Sequence, residues 1–473
     1  MISSSEIMAE ENVNHCDTEI NLKIFTLNCW GLKFVSKLKK QRFKAIAEYL
    51  SQSGSGYDVV FLQEVWCREH YEVLKEKLCN SKDLYPYSHY FSNGVIGSGT
   101  CIFSKFRLLQ ANYHEFSING YPTKFWHGDW FASKGIGVCQ IRFSSKRLDK
   151  SNSDSEFFDV HLYMSHYHAD YDPNNDRYLA HRVLQAFESA QWINLTSSGA
   201  DLIIYAGDFN TEPNSLPYRI LSSLGLLKDS WKEFTSNNVE SEVKKLKTCG
   251  STSESLVNSF TVAPKHSNCS TNCVGNRSSS DAVLQIEGKR IDYIMYRAGR
   301  NVTVKVHKSS LPLPATIPHQ NFSFSDHEAL DAIFTLKRNS ANQNFKNELE
   351  EEKNGSTEKK IAKLEESKER NTVIQEAIDV MDTALDDVCK SKTKYVIFSI
   401  LCLVLFLASF VSSGFSHLTR LERIALDLCL FFPRMVLVTG LVIYVLMGLL
   451  FSKREKNSIK EIKNQLGLIL EED

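Results

Sequence analysis

The fold of this chain is constrained most strongly by short polar motifs that come directly after apolar, β-type runs. Five motifs occur in order, and they contain Asn28, Glu64, His166 with His168, Asp208 with Asn210, and Asp326 with His327. Four of the five follow β-type runs. Strand ends that carry carboxylate, amide and imidazole groups usually meet along one edge of a fold. The pattern therefore predicts a single cleft that these groups line.

The region between residues 21 and 337 alternates short β-type runs with helical stretches. Strands are predicted near residues 22–27, 58–62, 157–164, 202–206, 291–296 and 330–336, and helices near 36–51, 68–78 and 176–196. Strands mixed with helices in this way predict sheets packed face to face and covered by helices, an α+β sandwich. A Rossmann fold is excluded because no G-x-G-x-x-G follows the first strand.

The first two motifs carry oxygen ligands of the kind that hard cations prefer. Glu64 and Asn28 each follow a hydrophobic strand that would hold the side chain rigidly. Mg²⁺ binds a few protein oxygens and keeps several waters, so these two residues are candidate metal ligands.

The remaining motifs carry groups that can handle protons and phosphate oxygens. Asp208 and Asn210 alternate across one residue and can face the same cleft, where a carboxylate can orient water and an amide can hold a phosphate oxygen. His166 is a candidate donor to a phosphoryl oxygen or to a leaving group. Asp326 and His327 add a second acid–base group. The set predicts cation-assisted attack of water on a phosphodiester.

Two apolar runs near the C-terminus predict membrane-spanning helices. Residues 395–411 and 435–451 are almost uninterrupted, at the lower limit of the length that spans a bilayer. They predict a two-helix transmembrane hairpin at 395–451, preceded by a charged linker and juxtamembrane helix at 338–394 and followed by a cytosolic tail at 452–473. Residues 1–20 are polar and acidic and predict a disordered terminus. The helix within 361–388 has two interpretations, a membrane-surface or coiled-coil helix and a solvated spacer, of which the spacer ranks first.

The flanks of the spans predict an orientation. The first twenty residues contain no apolar signal region, which favours the cytosol for the large N-terminal part. Lysines before the first run and after the second agree with this, although arginines between the runs make the bias modest. Short spans suit a thin bilayer, so an intracellular membrane, the endoplasmic reticulum, is predicted. The net charge of −1 argues against nucleic acid as a partner.

Taken in order, the five motifs resemble those of the endonuclease/exonuclease/phosphatase superfamily, over residues 21–337. Further elements resemble the neutral sphingomyelinases of that superfamily, among them Asn28-Cys29-Trp30-Gly31, His127-Gly128-Asp129-Trp130-Phe131 and Arg290-Ile291-Asp292-Tyr293. The resemblance implies a DNase I-like four-layer α/β sandwich. It also implies Mg²⁺-dependent, phospholipase C-type cleavage of sphingomyelin to ceramide and phosphocholine, with lysophosphocholine lipids as further candidate substrates.

The resemblance assigns roles to individual residues. The implied catalytic residues are His327, His166, Asp208, Asn210 and Asp292, and the implied metal-site residues are Glu64, Asn28 and Asp326. His327 is the expected general base, and Asp292 is expected to orient it. Both His166 and His168 are present in their motif, and His166 is favoured because it stands nearer the strand end.

Head-group recognition has a separate candidate in the segment around Trp130. Aromatic faces attract quaternary ammonium groups such as choline, and Trp126, Trp130, Phe131 and Tyr121 cluster there. Lys134 and Asp129 are further candidate substrate contacts, and core or lid packing is the competing interpretation for the aromatic residues. Two other functions stay open: a nuclease or deadenylase of the same superfamily, and a membrane-anchored scaffold without catalysis.

Overall fold

The computed structural model describes residues 19–52, 56–79, 84–144, 157–172, 175–236, 250–255, 257–261, 288–339, 357–411 and 419–471. Residues 1–18, most of the terminus predicted to be disordered, lie outside these ranges. Two six-stranded sheets and the helices that cover them form the N-terminal part, and a bundle of long helices forms the C-terminal part.

The first sheet has the strand order β11-β12-β1-β2-β4-β3. Its strands are β1 (Ile20–Asn28), β2 (Val59–Gln63), β3 (Tyr87–Tyr90), β4 (Cys101–Ser104), β11 (Val302–Ser310) and β12 (Leu330–Arg338). β1 and β2 are parallel, whereas the other neighbours are antiparallel. Along β1 the side chains alternate, so that Leu22 and Ile24 face one core and Phe25 and Leu27 face another.

The second sheet has the order β5-β6-β7-β8-β10-β9. Its strands are β5 (Leu108–Glu115), β6 (Gly135–Ser144), β7 (Phe157–His166), β8 (Leu202–Asp208), β9 (Lys228–Asp229) and β10 (Asp292–Ala298). β7 and β8 are parallel and are joined by helix α3 (Leu179–Thr196), because a parallel pair needs a crossover connection.

Three buried cores separate four layers. The middle core lies between the sheets and contains Ile24, Phe61 and Leu162. Helices α1 (Lys39–Ser51) and α2 (Arg68–Cys79) cover the outer face of the first sheet, and α3 with α4 (Leu216–Ser223) covers that of the second; α5 (Ser230–Ser236) follows β9. The predicted four-layer α/β sandwich is confirmed.

Strand direction brings the functional motifs to one edge of the sandwich, here called the cleft edge. β1 and β2 end there at Asn28 and Gln63, and β7 and β8 end there at His166 and Asp208. The antiparallel strand β10 begins at the same edge with Asp292. The opposite edge, where β8 begins and β12 ends, is called the far edge.

The C-terminal part contains two helices that are long and apolar enough to cross a membrane. Helix α6 (Thr357–Val411) runs for 55 residues and includes the first apolar run. Helix α7 (Arg420–Leu446) carries the second run, which ends in a π-helical turn at Met447–Phe451 before helix α8 (Ser452–Glu471). These two candidate spans are those predicted, and they indicate a membrane-anchored protein.

The first half of α6 packs on the sandwich together with α8. Ile374, Ala377 and Met381 are buried in the same core as Ile193 of α3, and Ile459 and Ile462 of α8 join them. This stretch is not the solvated spacer that the sequence favoured, because its apolar stripe is covered by protein. The segment 452–473, expected to be a tail, is helical from Ser452 to Glu471.

Candidate active site at the cleft edge

Asn28 links the two sheets at the centre of the cleft. It is fully buried at the end of β1. Its side-chain Nδ2 donates to Glu64 Oε1 at 3.1 Å and to Asp208 Oδ2 at 2.9 Å, and its Oδ1 accepts from the Trp30 backbone N–H at 2.9 Å. One amide therefore binds a carboxylate from each sheet. In this arrangement Asn28 acts as a donor, and its expected role as a metal ligand remains a prediction.

Glu64 presents an unsatisfied carboxylate oxygen to the cleft. The residue follows β2 in a left-handed backbone conformation, φ 56°, and Gly31 lies so close that a Cβ there would stand 2.1 Å from the Glu64 carbonyl oxygen. Glu64 Oε2 is buried without a hydrogen-bond partner. Burial, followed by the charge of Asp326, raises the pKa of Glu64. A buried carboxylate oxygen beside a second carboxylate fits a bound cation.

Asp208 and Asp292 face each other across the antiparallel pair β8–β10. They are direct partners in the register. Asp208 accepts from Asn28 and, through Oδ1, from the Asn210 backbone N–H at 2.9 Å. Burial, then the charge of Asp292, raises the pKa of Asp208. Two carboxylates this close are stable only with a positive group or a proton between them.

His327, when it is protonated, can supply that positive group. Its Nδ1 lies 2.8 Å from Asp292 Oδ2, and its Nε2 lies 3.8 Å from Asp208 Oδ2. Burial disfavours the imidazolium, but the charges of Asp292 and Asp208 outweigh burial and raise the pKa of His327 well above its usual value. The predicted neighbour relation between Asp292 and His327 is what the structure shows; their catalytic roles remain predictions.

Two positions in the cleft could hold a cation. Asp208, Asp292 and His327 offer ligand atoms that all lie within 4.8 Å of one another. In that group, however, His327 is bonded to Asp292, and Asn28 and the Asn210 backbone both donate to Asp208. Among the carboxylate oxygens of this group, Asp292 Oδ1 has no partner in the described part of the chain. The charge of His327 acts on Glu64 and Asp326 as well, but Glu64 Oε2 has no hydrogen-bond partner among the described residues. We therefore favour the Glu64 side as the metal position.

His166 lies beside both Asp208 and Lys134, and the same ring nitrogen, Nε2, faces the two side chains. His166 Nε2 is 3.6 Å from Asp208 Oδ2 and 3.4 Å from Lys134 Nζ. Burial and then the Lys134 charge lower the pKa of His166 well below its usual value. A neutral imidazole can donate one hydrogen bond but carries no excess proton. His168, in contrast, stacks on Tyr178 with ring centroids 3.9 Å apart.

Asn210 and the segment around Trp130 make contacts other than the bond between His327 and Asp292. Asn210 Nδ2 donates to the Tyr167 backbone carbonyl at 3.0 Å. Asp129 pairs with Lys134 at 2.7 Å, and the Lys134 charge, against the effect of burial, lowers the pKa of Asp129. The Trp130 ring packs against Phe451 of the π-helical turn, with centroids 5.6 Å apart. The side chain of Trp126 lies outside the described part of the chain.

Sequence reasoning missed Arg42, which ties the site loops together. It is fully buried on α1, and its guanidinium donates to the backbone carbonyls of Cys29 at 2.7 Å, Trp30 at 2.6 Å and Phe324 at 3.1 Å. These carbonyls flank Asn28 and Asp326. No local pattern distinguishes Arg42 from a surface arginine on an amphipathic helix, so the sequence offered no signal for it.

Comparison with known proteins identifies the family of this chain. The profile described as Endonuclease/Exonuclease/phosphatase family matches residues 25–327. Sphingomyelin phosphodiesterase 2 of Rattus norvegicus is 34% identical over 320 residues, which are 67% of this chain and 65% of the rat protein. The Homo sapiens protein of that name is 33% identical over 325 residues, 69% of this chain and 67% of the human protein. The chain thus matches about two thirds of the length of these relatives.

Two further matches have lower sequence identity. The inositol phosphosphingolipids phospholipase C of Schizosaccharomyces pombe is 29% identical over 325 residues, 67% of this chain and 69% of the yeast protein. The crystal structure of sphingomyelinase C from Streptomyces griseocarneus superimposes with a TM-score of 0.41 at 16% identity, over 66% of this chain and 99% of that one. By its profile match and its animal relatives, the chain belongs to the endonuclease/exonuclease/phosphatase family, in the group of the neutral sphingomyelinases.

Proposed function

We propose that the protein is a membrane-anchored neutral sphingomyelinase that hydrolyses sphingomyelin to ceramide and phosphocholine with Mg²⁺ as its cation. The observation that carries the proposal is the buried dyad of His327 and Asp292, 2.8 Å apart, which faces Asp208 across the cleft. The family relationship gives this geometry its chemical context.

The dyad is suited to take a proton from water. When His327 is neutral, Asp292 accepts the hydrogen on its Nδ1, which fixes the tautomer and leaves the lone pair of Nε2 on the side of Asp208. A base held in this way can remove a proton from a water that Asp208 orients. The carboxylate of Asp292 then stabilises the imidazolium that forms.

The other half of the site is suited to the phosphate group. Glu64, Asp326 and Asn28 are the proposed metal-site residues, and a bound Mg²⁺ would neutralise charge on a phosphoryl oxygen. His166, held neutral beside Lys134, can donate a hydrogen bond to another phosphoryl oxygen. Asn210 is the proposed amide contact. Its neighbour Asp208 accepts a hydrogen bond from Asn28, and this bond joins the side of the site that holds Glu64 to the side that holds His327 and Asp292.

The substrate class is supported by the relatives and by the anchor. The matched rat and human proteins are named for sphingomyelin, and the S. pombe protein for inositol phosphosphingolipids. A catalytic unit tethered to a bilayer meets lipid head groups at high effective concentration. We also propose that Trp130, Lys134 and Asp129 contact the head group. The protein is proposed to lie in the endoplasmic reticulum membrane, with the catalytic domain at 21–337 facing the cytosol.

A parallel assay tests the proposed reaction. The full chain, reconstituted with Mg²⁺, is given sphingomyelin, lysophosphatidylcholine, an inositol phosphosphingolipid and single-stranded RNA. Release of phosphocholine from sphingomyelin that disappears in His327→Ala supports the proposal. Nucleotide release alone would identify a nuclease, and turnover of none of the four by a folded, Mg²⁺-binding protein would identify a scaffold.

A further inference from the structure

Four exposed apolar side chains stand on two loops at the cleft edge. Phe34 and Val35 follow the end of β1, and their exposed fractions are 92% and 66%. Val95 and Ile96 lie in the loop between β3 and β4, with exposed fractions of 84% and 43%. β1 ends and β4 begins at the cleft edge, so both pairs project from the side on which the active site opens. Clustered exposed apolar groups usually mark an interaction surface.

The membrane anchor reaches the sandwich at this same edge. The loop between β5 and β6 lies at the cleft edge, because β6 begins where β7 ends. Ile136, the second residue of β6, pairs with Ser165 near the end of β7. Trp130 in that loop packs against Phe451, the last residue of the second apolar run. The boundary between the candidate spans and the sandwich therefore lies beside the cleft.

The loop that carries Val95 and Ile96 touches the loop that meets the anchor. Gly94 packs so closely on Ser133 that a Cβ at Gly94 would stand 1.6 Å from the Ser133 hydroxyl oxygen. Ser133 lies three residues after Trp130. A short series of contacts thus connects the end of the membrane hairpin, through the β5–β6 loop, to Val95 and Ile96.

The charge around Phe34 and Val35 also suits a lipid surface. Lys33 and Lys37 flank the pair, and both lysines are exposed. Apolar side chains bordered by lysine are typical of segments that insert shallowly into the head-group region, because the ammonium groups stay at the polar boundary while the apolar groups enter it.

We propose that Phe34, Val35, Val95 and Ile96, here called the apolar rim, insert into the bilayer around the mouth of the cleft. The partner is the lipid surface in which the protein is anchored. The rim would seat the cleft on that surface, so that a lipid can enter the active site without exposing its acyl chains to water. The proposed function is needed for this consequence, whereas the contact with lipid stands on the geometry alone.

A quenching experiment tests the contact without relying on activity. The full chain carrying Val95→Trp is reconstituted into phosphatidylcholine vesicles with brominated acyl chains, and its added fluorescence is compared with that of the parent. Leu195→Trp is the matched control, because Leu195 is 76% exposed near the C-terminal end of α3 at the far edge. Bromine quenching at position 95 but not at position 195 supports the proposal. Equal quenching at both positions, or none at either, overturns it.

Activity measurements test the consequence. Phe34→Ser/Val35→Ser and Val95→Ser/Ile96→Ser should each lower turnover of bilayer sphingomyelin by about tenfold, since each removes burial of two large apolar groups. Turnover of a short-chain, water-soluble sphingomyelin analogue should stay within about twofold of the parent, because the catalytic groups are untouched. Leu109→Ser/Leu195→Ser, which alters exposed far-edge residues, should change neither rate.

The outcomes separate the two proposals. Equal losses on the bilayer and soluble substrates, or no loss on the bilayer, would overturn the role of the apolar rim. A parent protein that hydrolyses neither substrate would overturn the proposed function instead, and the quenching at position 95 would still decide whether the rim contacts lipid.

Discussion

The two sheets bring different chemistry to the same cleft. The first sheet contributes Asn28, Glu64 and the segment that contains Asp326. There, Glu64 Oε2 has no partner among the described residues, and the charge of Asp326 acts on the same carboxylate. The second contributes Asp208 and Asp292, which strand register places opposite each other. A parallel pair of strands thus carries the proposed cation-binding half of the site, and an antiparallel pair carries the proposed acid–base half.

Two side chains cross from the first sheet to the second and join these halves. Asn28 at the end of β1 donates to Glu64 and also to Asp208. His327, just before β12, bonds to Asp292 at the start of β10. The comparison teaches that the acid–base half is incomplete before the sheets pack, because His327 comes from the first sheet and Asp292 from the second, so its geometry depends on folding of the sandwich.

The largest effect is expected from breaking the acid–base half. His327→Ala should lower sphingomyelin turnover by about 10³-fold or more, because the other imidazole beside Asp208, that of His166, is made a weaker base by burial and the Lys134 charge, which lower its pKa. Asp292→Asn should cause a loss of similar order by favouring the wrong tautomer. Steady-state rates with saturating Mg²⁺ measure both effects. A variant with the same unfolding temperature as the parent that keeps a tenth of the parental rate would contradict the assignment.

A smaller effect is expected from breaking the cation half. Glu64→Gln removes the carboxylate whose Oε2 has no protein partner, and should weaken Mg²⁺ binding by about 100-fold, a loss that excess Mg²⁺ partly restores. Titration calorimetry measures the affinity separately from the rate. The exposed residue Glu76 provides the control Glu76→Gln, which should bind Mg²⁺ as the parent does. Unchanged affinity in Glu64→Gln would move the cation to the Asp208 side.

The bridge between the halves should matter less than either half. Asn28→Ala removes one donor from each of two buried carboxylates, and bonds of this kind contribute about 1.5–3 kcal/mol. We expect turnover to fall by about tenfold to a hundredfold. Mg²⁺ should also raise the unfolding temperature of the variant less than that of the parent, because Asn28 is one of the proposed metal-site residues. An equal Mg²⁺ effect on both proteins would show that Asn28 takes no part in the metal site.

The smallest effect on turnover is expected from a buried carboxylate outside the cleft. Glu188 on α3 accepts from the Ser117 backbone N–H at 3.1 Å, and burial raises its pKa to about 7 from 4.5. The pKa of Glu188 is higher in the folded than in the unfolded protein. Its contribution to the free energy of unfolding is therefore fully present below pH 4.5 and falls by roughly 3 kcal/mol as the pH rises to about 7. Glu188→Gln should leave the rate unchanged and flatten the dependence of unfolding temperature on pH across this range. A slope identical to that of the parent would contradict the shifted pKa.

Local patterns were sufficient to predict the layers and the convergence of the motifs. Strand runs that end at Asn28, Glu64, His166 and Asp208 predict a shared edge, because parallel strands point the same way. The resemblance to the family added Asp292, which no local pattern would connect with His327. Their contact depends on the antiparallel register of β8 and β10, a tertiary property that a single sequence does not reveal.

Other features could not be predicted because their cause lies in distant packing. Arg42 is an ordinary polar residue of α1 until the loops around Cys29 and Phe324 close over it. The assignment of Trp130 to choline stays a prediction, and its contact with Phe451 depends on packing between distant parts of the chain. In the last helix, Ile459, Ile462 and Leu466 recur at helical spacing, a pattern that could have identified α8 as a packed amphipathic helix.

The continuity of α6 has a consequence for where the enzyme can work. One unbroken helix extends from the core beneath α3 into the first candidate span, and the described residues 357–411 contain no hinge along it. If the proposed function holds, this helix would keep the sandwich at the membrane that its spans cross. Turnover would then depend on the lateral diffusion of lipid within that one leaflet.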